Sequence, residues 1–205
     1  MRRRNSLLIV LSLALLMAPS TATAVETGKV LIADEARATF SYGFSYDLGW
    51  TTCDVTYDIW VSVLVGKHGE LAPGGALQDI SRLYASNNIV DTCFGDQFFE
   101  GEVALDSEDV EYVPLESFTI DDVYVDIRSE YGYVQFFRLD LTWIATSDLM
   151  HQGYDMGRPP TVFQVENFVW ADVTGTFEIN YDLLLPGEPW GGDISRLRQI
   201  GPPAP

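Results

Sequence analysis

Residues 172–182 read DVTGTFEINYD. On an extended chain Val173, Phe177, Ile179 and Tyr181 fall on one side, and Thr174, Thr176, Glu178 and Asn180 fall on the other. This is the period-two pattern of a strand with one face in a core and one in water. The same pattern runs through residues 54–65, where Val55, Tyr57, Ile59, Val61, Val63 and Val65 oppose Thr56, Asp58, Trp60, Ser62 and Leu64. Further strands are readable at residues 38–46, 98–105, 118–127, 135–146 and 161–168, separated by turn chemistry at Gly66, Pro73-Gly74-Gly75, Gly132, residues 153–160 and Pro186-Gly187. Leu77, Ile80, Leu83 and Tyr84 fit a helical face, but Leu83, Ala85 and Ile89 also fit a strand. A strand ending near Val90 is preferred, because a helix between Gly74-Gly75 and that point would be short and costly to nucleate.

Alternating strands, short turns and little helix give an all-β reading, an antiparallel β-sandwich of about 7–9 strands. A closed β-barrel is the alternative, since one-sided alternation looks the same in both. The expected division is a signal peptide over residues 1–24, one β-domain over 25–185, and a Pro/Gly-rich tail over 186–205, extended along the surface or loose. The pentapeptide DISRL occurs at residues 79–83 and 193–197, but its flanks do not align as a repeat.

The first 24 residues, MRRRNSLLIVLSLALLMAPSTATA, have a basic start at Arg2 to Arg4, an apolar run from Leu7 to Met17 and a small-residue site ending at Ala24. That is the layout of a secretory signal peptide, and the run is shorter than the roughly 20 residues a spanning helix needs. The expected location is therefore periplasmic or extracellular, with no membrane span after cleavage. Cleavage removes three of the 12 basic residues and no acid, so nine Lys and Arg face 30 Asp and Glu and the formal charge moves from -18 to -21. Such a surface argues against nucleic acid or an anionic membrane as partner, since both demand neutralising cations. The hydrophobic fraction of 47% argues against a disordered acidic chain. Export also decides the reading of Cys53 and Cys93, the one pair of cysteines: an oxidising compartment lets them close. A bridge over about 40 residues contributes on the order of 4 kcal/mol in the chain-entropy model.

Candidate chemistry is sparse. FSYGFSY at residues 40–46 puts Phe40, Tyr42, Phe44 and Tyr46 on one face, which reads first as core. Trp60 stands on the polar face of its strand beside Asp58 and Ser62, and Phe136 does so beside Arg138 and Asp140. Large apolar groups on a face that should meet water mark a covered face or a binding patch, so Trp60 and Phe136 are the candidate binding residues. Acids gather at Asp106, Glu108, Asp109 and Glu111 and at Asp121-Asp122, without the spacing of a calcium loop. His151 lies near Asp148 and Asp155, but with His68 it makes two histidines in the chain, too few for a three-histidine zinc site. Nucleophile-elbow, zinc-helix, phosphate-loop and dinucleotide motifs are missing.

These features predict a non-catalytic binding or structural module without cofactor or metal, whose partner is an extracellular glycan or protein. A polysaccharide hydrolase using two carboxylates and a carrier of a small apolar ligand are the alternatives. Face parity adds a register: Val123, Val125 and Ile127 must share a face with Phe137, Leu139 and Leu141. The loop Tyr131-Gly132-Tyr133 then sets Ile127 opposite Phe137 and Asp126 opposite Arg138.

Overall fold

The computed structural model describes residues 28–71, 76–155, 163–180, 182–184 and 190–200. The expected signal peptide lies outside these residues. The described chain is all antiparallel strand: β1 (Gly28–Asp47), β2 (Thr52–Leu71), β3 (Gln78–Asp91), β4 (Gln97–Ala104), β5 (Val110–Val113), β6 (Ser117–Ser129), β7 (Val134–Ala145), β8 (Met150–Asp155), β9 (Phe163–Ile179), β10 (Asp182–Leu184) and β11 (Trp190–Ile200). The ambiguous segment is indeed a strand, β3, and two expected strands near residues 161–168 and 172–182 belong largely to one, β9.

The sheet closes. From β9 the hydrogen-bonded order runs β11, β1, β2, β3, β4, β6 and β7, and β7 returns to β9. Eight strands thus make a barrel, to which β5 adds on β6, and β8 and β10 add on β9. The sandwich expectation gives way to its alternative because one element joins the two ends of the sheet: β11 pairs β1 from Ala38↔Gly192 to Val30↔Ile200, and pairs β9 along its whole length. That element lies in the expected tail. Residues 190–200 are a wall of the barrel, and the prolines stand before and after them in the sequence, at Pro186, Pro189, Pro202, Pro203 and Pro205.

Inside the ring, Trp143, Phe118, Phe137, Phe177, Leu83, Ile120, Ile127, Leu139, Leu141 and Ile194 are all fully buried in one cluster. Each contributes about 1.5–3 kcal/mol by leaving water. An eight-stranded barrel is just wide enough for such side chains to fill it, and here they do. Phe177 and Ile179 point inward and Glu178 outward, as their alternation requires.

Two glycines permit the closure. A Cβ on Gly192 would sit 2.4 Å from the Arg37 carbonyl oxygen, 2.7 Å from Val173 and 3.2 Å from the Trp143 ring. Its absence lets the Trp143 indole lie across β11 and donate to the Arg37 carbonyl at 2.9 Å. Gly175, at φ +133°, brings β9 so close to β7 that a Cβ would meet the Asp140 carbonyl at 2.0 Å. Mid-strand glycines of this kind mark bends where neighbouring backbones approach.

The Cys53–Cys93 disulfide is present and ties the start of β2 to the turn after β3. Asp91 shapes that turn: its carboxylate accepts from the Cys93 and Phe94 amides at 2.8 and 3.1 Å and from the Tyr46 hydroxyl at 3.1 Å. The β6–β7 hairpin keeps the expected parity but not the expected register. Val125 faces Phe137, Ile127 faces Gln135, Asp126 faces Phe136 and Tyr124 faces Arg138. The hairpin turns over Glu130-Tyr131-Gly132, and a register irregularity falls between Ile120 and Val123, where Asp122 adopts φ 53°. Arg138 consequently pairs with Asp122 and Glu178, and Asp126 pairs with Arg128. The two DISRL copies face opposite ways. Leu83 enters the core in the first and Ile194 in the second, so the five residues are not a repeated unit.

Candidate binding groove on the outer wall

On the outside of β1 to β4 the register assembles side chains that are far apart in sequence. Arg37 lies opposite Ser62, Ser62 opposite Tyr84, and Tyr84 opposite Glu102. In the neighbouring row Glu35 lies opposite Leu64 and Leu64 opposite Arg82. Between the rows Glu35, Trp60, Ser62, Leu64, Arg82, Tyr84 and Glu102 line a groove of about 260 Å³. Trp60 is 39% exposed and meets Tyr84 edge to face, with ring centroids 5.6 Å apart. Ser62 and Leu64 are buried and form the floor.

The rim is held by charged hydrogen bonds. The Ser62 hydroxyl donates to Glu35 Oε1 at 2.6 Å, and the other Glu35 oxygen stands 4.0 Å from Arg37 Nε. Arg37 in turn donates to Asp193 on β11 at 2.9 and 3.1 Å. Across the groove Arg82 pairs with Glu102 at 3.2 Å, and the Tyr84 hydroxyl donates to Glu100 at 2.8 Å. Burial, then the bond to Glu100, pushes the Tyr84 hydroxyl above its ordinary pKa and keeps it a donor. The arrangement joins an aromatic face to guanidinium and carboxylate groups whose positions are already fixed by neighbours.

Of the two candidate residues, Trp60 belongs to this groove and Phe136 does not. Phe136 is 46% exposed on the outer face of β7, four strands from β2 in either direction around the ring. The two rings therefore stand on opposite walls. Tyr84, Ser62, Glu35, Arg82 and Glu102 were not singled out from sequence. Their outward parity was readable, but only the inter-strand register brings them together.

The remaining candidates take ordinary places. In FSYGFSY, Phe40 packs against Phe177 at 5.2 Å, whereas Tyr42 and Phe44 are exposed because β1 and β2 run past the end of the barrel. Asp109 accepts from the Asp106 amide within its own turn at 2.7 Å. His151 Nδ1 contacts Asn167 Oδ1 at 2.6 Å. Among the described residues no group of three or more His, Cys, Asp or Glu side chains could hold a metal ion. No protein-family model, no curated protein and no solved structure matches the chain, so the class it defines is that of its own geometry: an antiparallel, disulfide-linked closed β-barrel with a filled interior.

Proposed function

We propose that this is an exported, non-catalytic binding barrel that holds an extracellular glycan in the groove around Trp60. The observation that carries the reading is the Trp60–Tyr84 pair standing open over a buried Ser62–Leu64 floor with Glu35, Arg82 and Glu102 on the rim. A sugar ring presents apolar C–H faces and a fringe of hydroxyls. Such a ligand stacks on an indole and spends its hydroxyls on planar charged groups, the usual division of labour in a small-molecule site. The net charge of -18 opposes polyanions, which favours neutral or amino-sugar chains.

The alternatives draw less support. A carrier needs a hollow interior, and the core here is packed with Trp143, Phe118, Phe137 and Phe177. A hydrolase needs an acid and a base free to act across the scissile bond, while Glu35 and Glu102 already bind Ser62 and Arg82. Charge on the outer wall and apolar groups within are the reverse of a lipid-facing barrel, which supports a setting in water; no helix among the described residues is long and apolar enough to cross a membrane.

The test is calorimetric titration of the mature protein with neutral, amino-sugar and uronic-acid oligosaccharides. Binding of a neutral or amino-sugar chain without turnover, lost in Trp60→Ala and kept in Phe136→Ala, is the expected result. Release of shortened sugars, or binding indifferent to Trp60, would refute it.

A further inference from the structure

Among the described residues the four most exposed large apolar side chains are Trp50 at 81%, Tyr131 at 75%, Phe94 at 71% and Tyr133 at 64%. They share one end of the barrel. Trp50 lies in the turn between β1 and β2, Phe94 in the turn between β3 and β4, and Tyr131 and Tyr133 in the turn between β6 and β7. The pairing of Val55 with Asp91 sets the second turn beside the first, and that of Phe99 with Ser129 sets the third beside the second. The Cys53–Cys93 bridge ties the first two together. Apolar groups exposed singly are ordinary, but rings gathered on neighbouring turns mark an interaction surface.

Several amides in each turn are occupied from within. Leu48 donates to the Thr51 carbonyl at 3.0 Å and Gly49 to Asp47 Oδ1 at 2.6 Å. Phe94 donates to Asp91 Oδ1 at 3.1 Å and Gly95 to the Asp91 carbonyl at 2.9 Å. Gly132 donates to the Ser129 carbonyl at 2.9 Å and Tyr133 to Ser129 Oγ at 3.1 Å. Backbone paired in this way enters a water-poor layer at little cost. The charge around the rings is of one sign: Asp47, Asp96 and Glu130 are exposed, and residues 47–52, 91–97 and 129–134 hold no Lys or Arg. Aromatic faces and carboxylates both attract cations, and a quaternary ammonium suits the two together.

We propose that this end of the barrel docks on the surface of a zwitterionic phosphatidylcholine bilayer, with Trp50, Phe94, Tyr131 and Tyr133 seated among the headgroups. Trp and Tyr rings favour that layer, where an apolar body and a polar tip are both accommodated. The choline headgroup ends in a trimethylammonium, which meets the ring faces and the carboxylates of Asp47, Asp96 and Glu130. An anionic lipid would meet the same carboxylates and a net charge of -18. A second copy of this chain is the poorer occupant for the same reason, since it brings its own carboxylates against them. Docked by this end, the barrel keeps the wall around Trp60 in water. The acidic residues Asp106, Glu108, Asp109 and Glu111, before and within β5, stand at the far end.

Sedimentation of the mature, oxidised protein with vesicles tests this, with phosphatidylcholine vesicles as probe and phosphatidylglycerol vesicles as comparator. The expected result is binding to phosphatidylcholine and not to phosphatidylglycerol. Trp50→Ala, and separately the double variant Tyr131→Ala/Tyr133→Ala, should each weaken it at least about tenfold, a loss of about 1.4 kcal/mol, while Phe136→Ala keeps it. Phosphatidylcholine brominated high on its acyl chains should quench the fluorescence of the bound protein, and that quenching should vanish in Trp50→Ala at lipid concentrations that restore binding. A circular dichroism spectrum like that of the wild type shows that each variant keeps the barrel. Failure to sediment with phosphatidylcholine, equal binding of both lipids, or binding that survives both variants would overturn the proposal. So would self-association without lipid that the same variants weaken, because it assigns the rings to a second copy.

Discussion

Replacing Gly192 with alanine should be among the most damaging one-methyl changes in the chain, and replacing its neighbour Gly191 should do no harm. At Gly192 the added Cβ would lie 2.4 Å from a backbone oxygen and 2.7 Å from Val173, and neither atom is the loose end of a flexible side chain. Overpacking of this kind costs about 1–3 kcal/mol. The Cβ also presses on Trp143, whose buried N–H depends on the Arg37 carbonyl at 2.9 Å. Losing that bond strands a buried donor, at about 1–3 kcal/mol. The stiffer unfolded chain returns about 0.4–1 kcal/mol, so the net loss is about 1–5.6 kcal/mol. With a urea dependence of about 2 kcal/mol/M the midpoint falls by about 0.5–3 M. At Gly191 nothing lies within 4 Å, so only the gain of about 0.4–1 kcal/mol remains. Urea unfolding of the oxidised protein, followed by circular dichroism, measures both. Combining Gly192→Ala with Trp143→Phe should cost less than the sum of the two, because Phe has no indole N–H to strand. If Gly191→Ala and Gly192→Ala shift the midpoint alike, β11 is not seated between β9 and β1 and the closed ring is wrong.

Within β9, Phe177→Ala should cost about 3–5 kcal/mol and Ile179→Val about 0.5–1.5 kcal/mol, with Glu178→Gln well below both; chemical denaturation ranks them, and a dominant Glu178 would mean that the strand faces the other way. The Cys93 amide first, then the Phe94 amide and the Tyr46 hydroxyl, hold the Asp91 carboxyl below its ordinary pKa. Its contribution is therefore full above the ordinary carboxylate range and lost as pH falls through the folded value, so the stability difference between wild type and Asp91→Asn should shrink on acidification. A difference that grows in acid contradicts the turn. Double-mutant cycles should couple Arg138 to Asp122 by up to about 1 kcal/mol and leave Arg138 uncoupled from Asp126; the reverse would restore the hairpin register expected from the shortest loop.

The strands were legible because alternation is a local property: a side chain at each second position either enters a core or does not, whatever the sheet does later. The disulfide was legible from the signal-peptide layout expected of the first 24 residues, through the oxidising compartment that reading implies. Closure was not. Among the described side chains of β11, Ile194 joins the apolar core and the adjacent Ser195 is equally buried, while Asp34–Arg196 and Arg37–Asp193 are polar partners, so WGGDISRLRQI shows little alternation between its flanking prolines. Hairpin parity was legible, since faces must match, but the turn falls over Glu130-Tyr131-Gly132, one residue before the expected loop, which shifts the pairing by two residues without changing any face, and the irregularity at Asp121-Asp122 then offsets the rest of β6 by one residue. Trp60 was legible as an apolar ring on a polar face. Its companions were not, because Glu35, Arg82, Tyr84 and Glu102 reach it from three other strands and only register joins them.

The claim that the outer wall rather than the interior binds ligand is most directly tested by amide and indole chemical-shift mapping of the mature protein during titration with neutral and amino-sugar oligosaccharides. The account predicts saturable shifts centred on Trp60, Ser62, Leu64, Arg82 and Tyr84, with Trp143, Leu139 and Phe177 unmoved. Shifts centred on those interior residues, or none with any sugar tested, would contradict it.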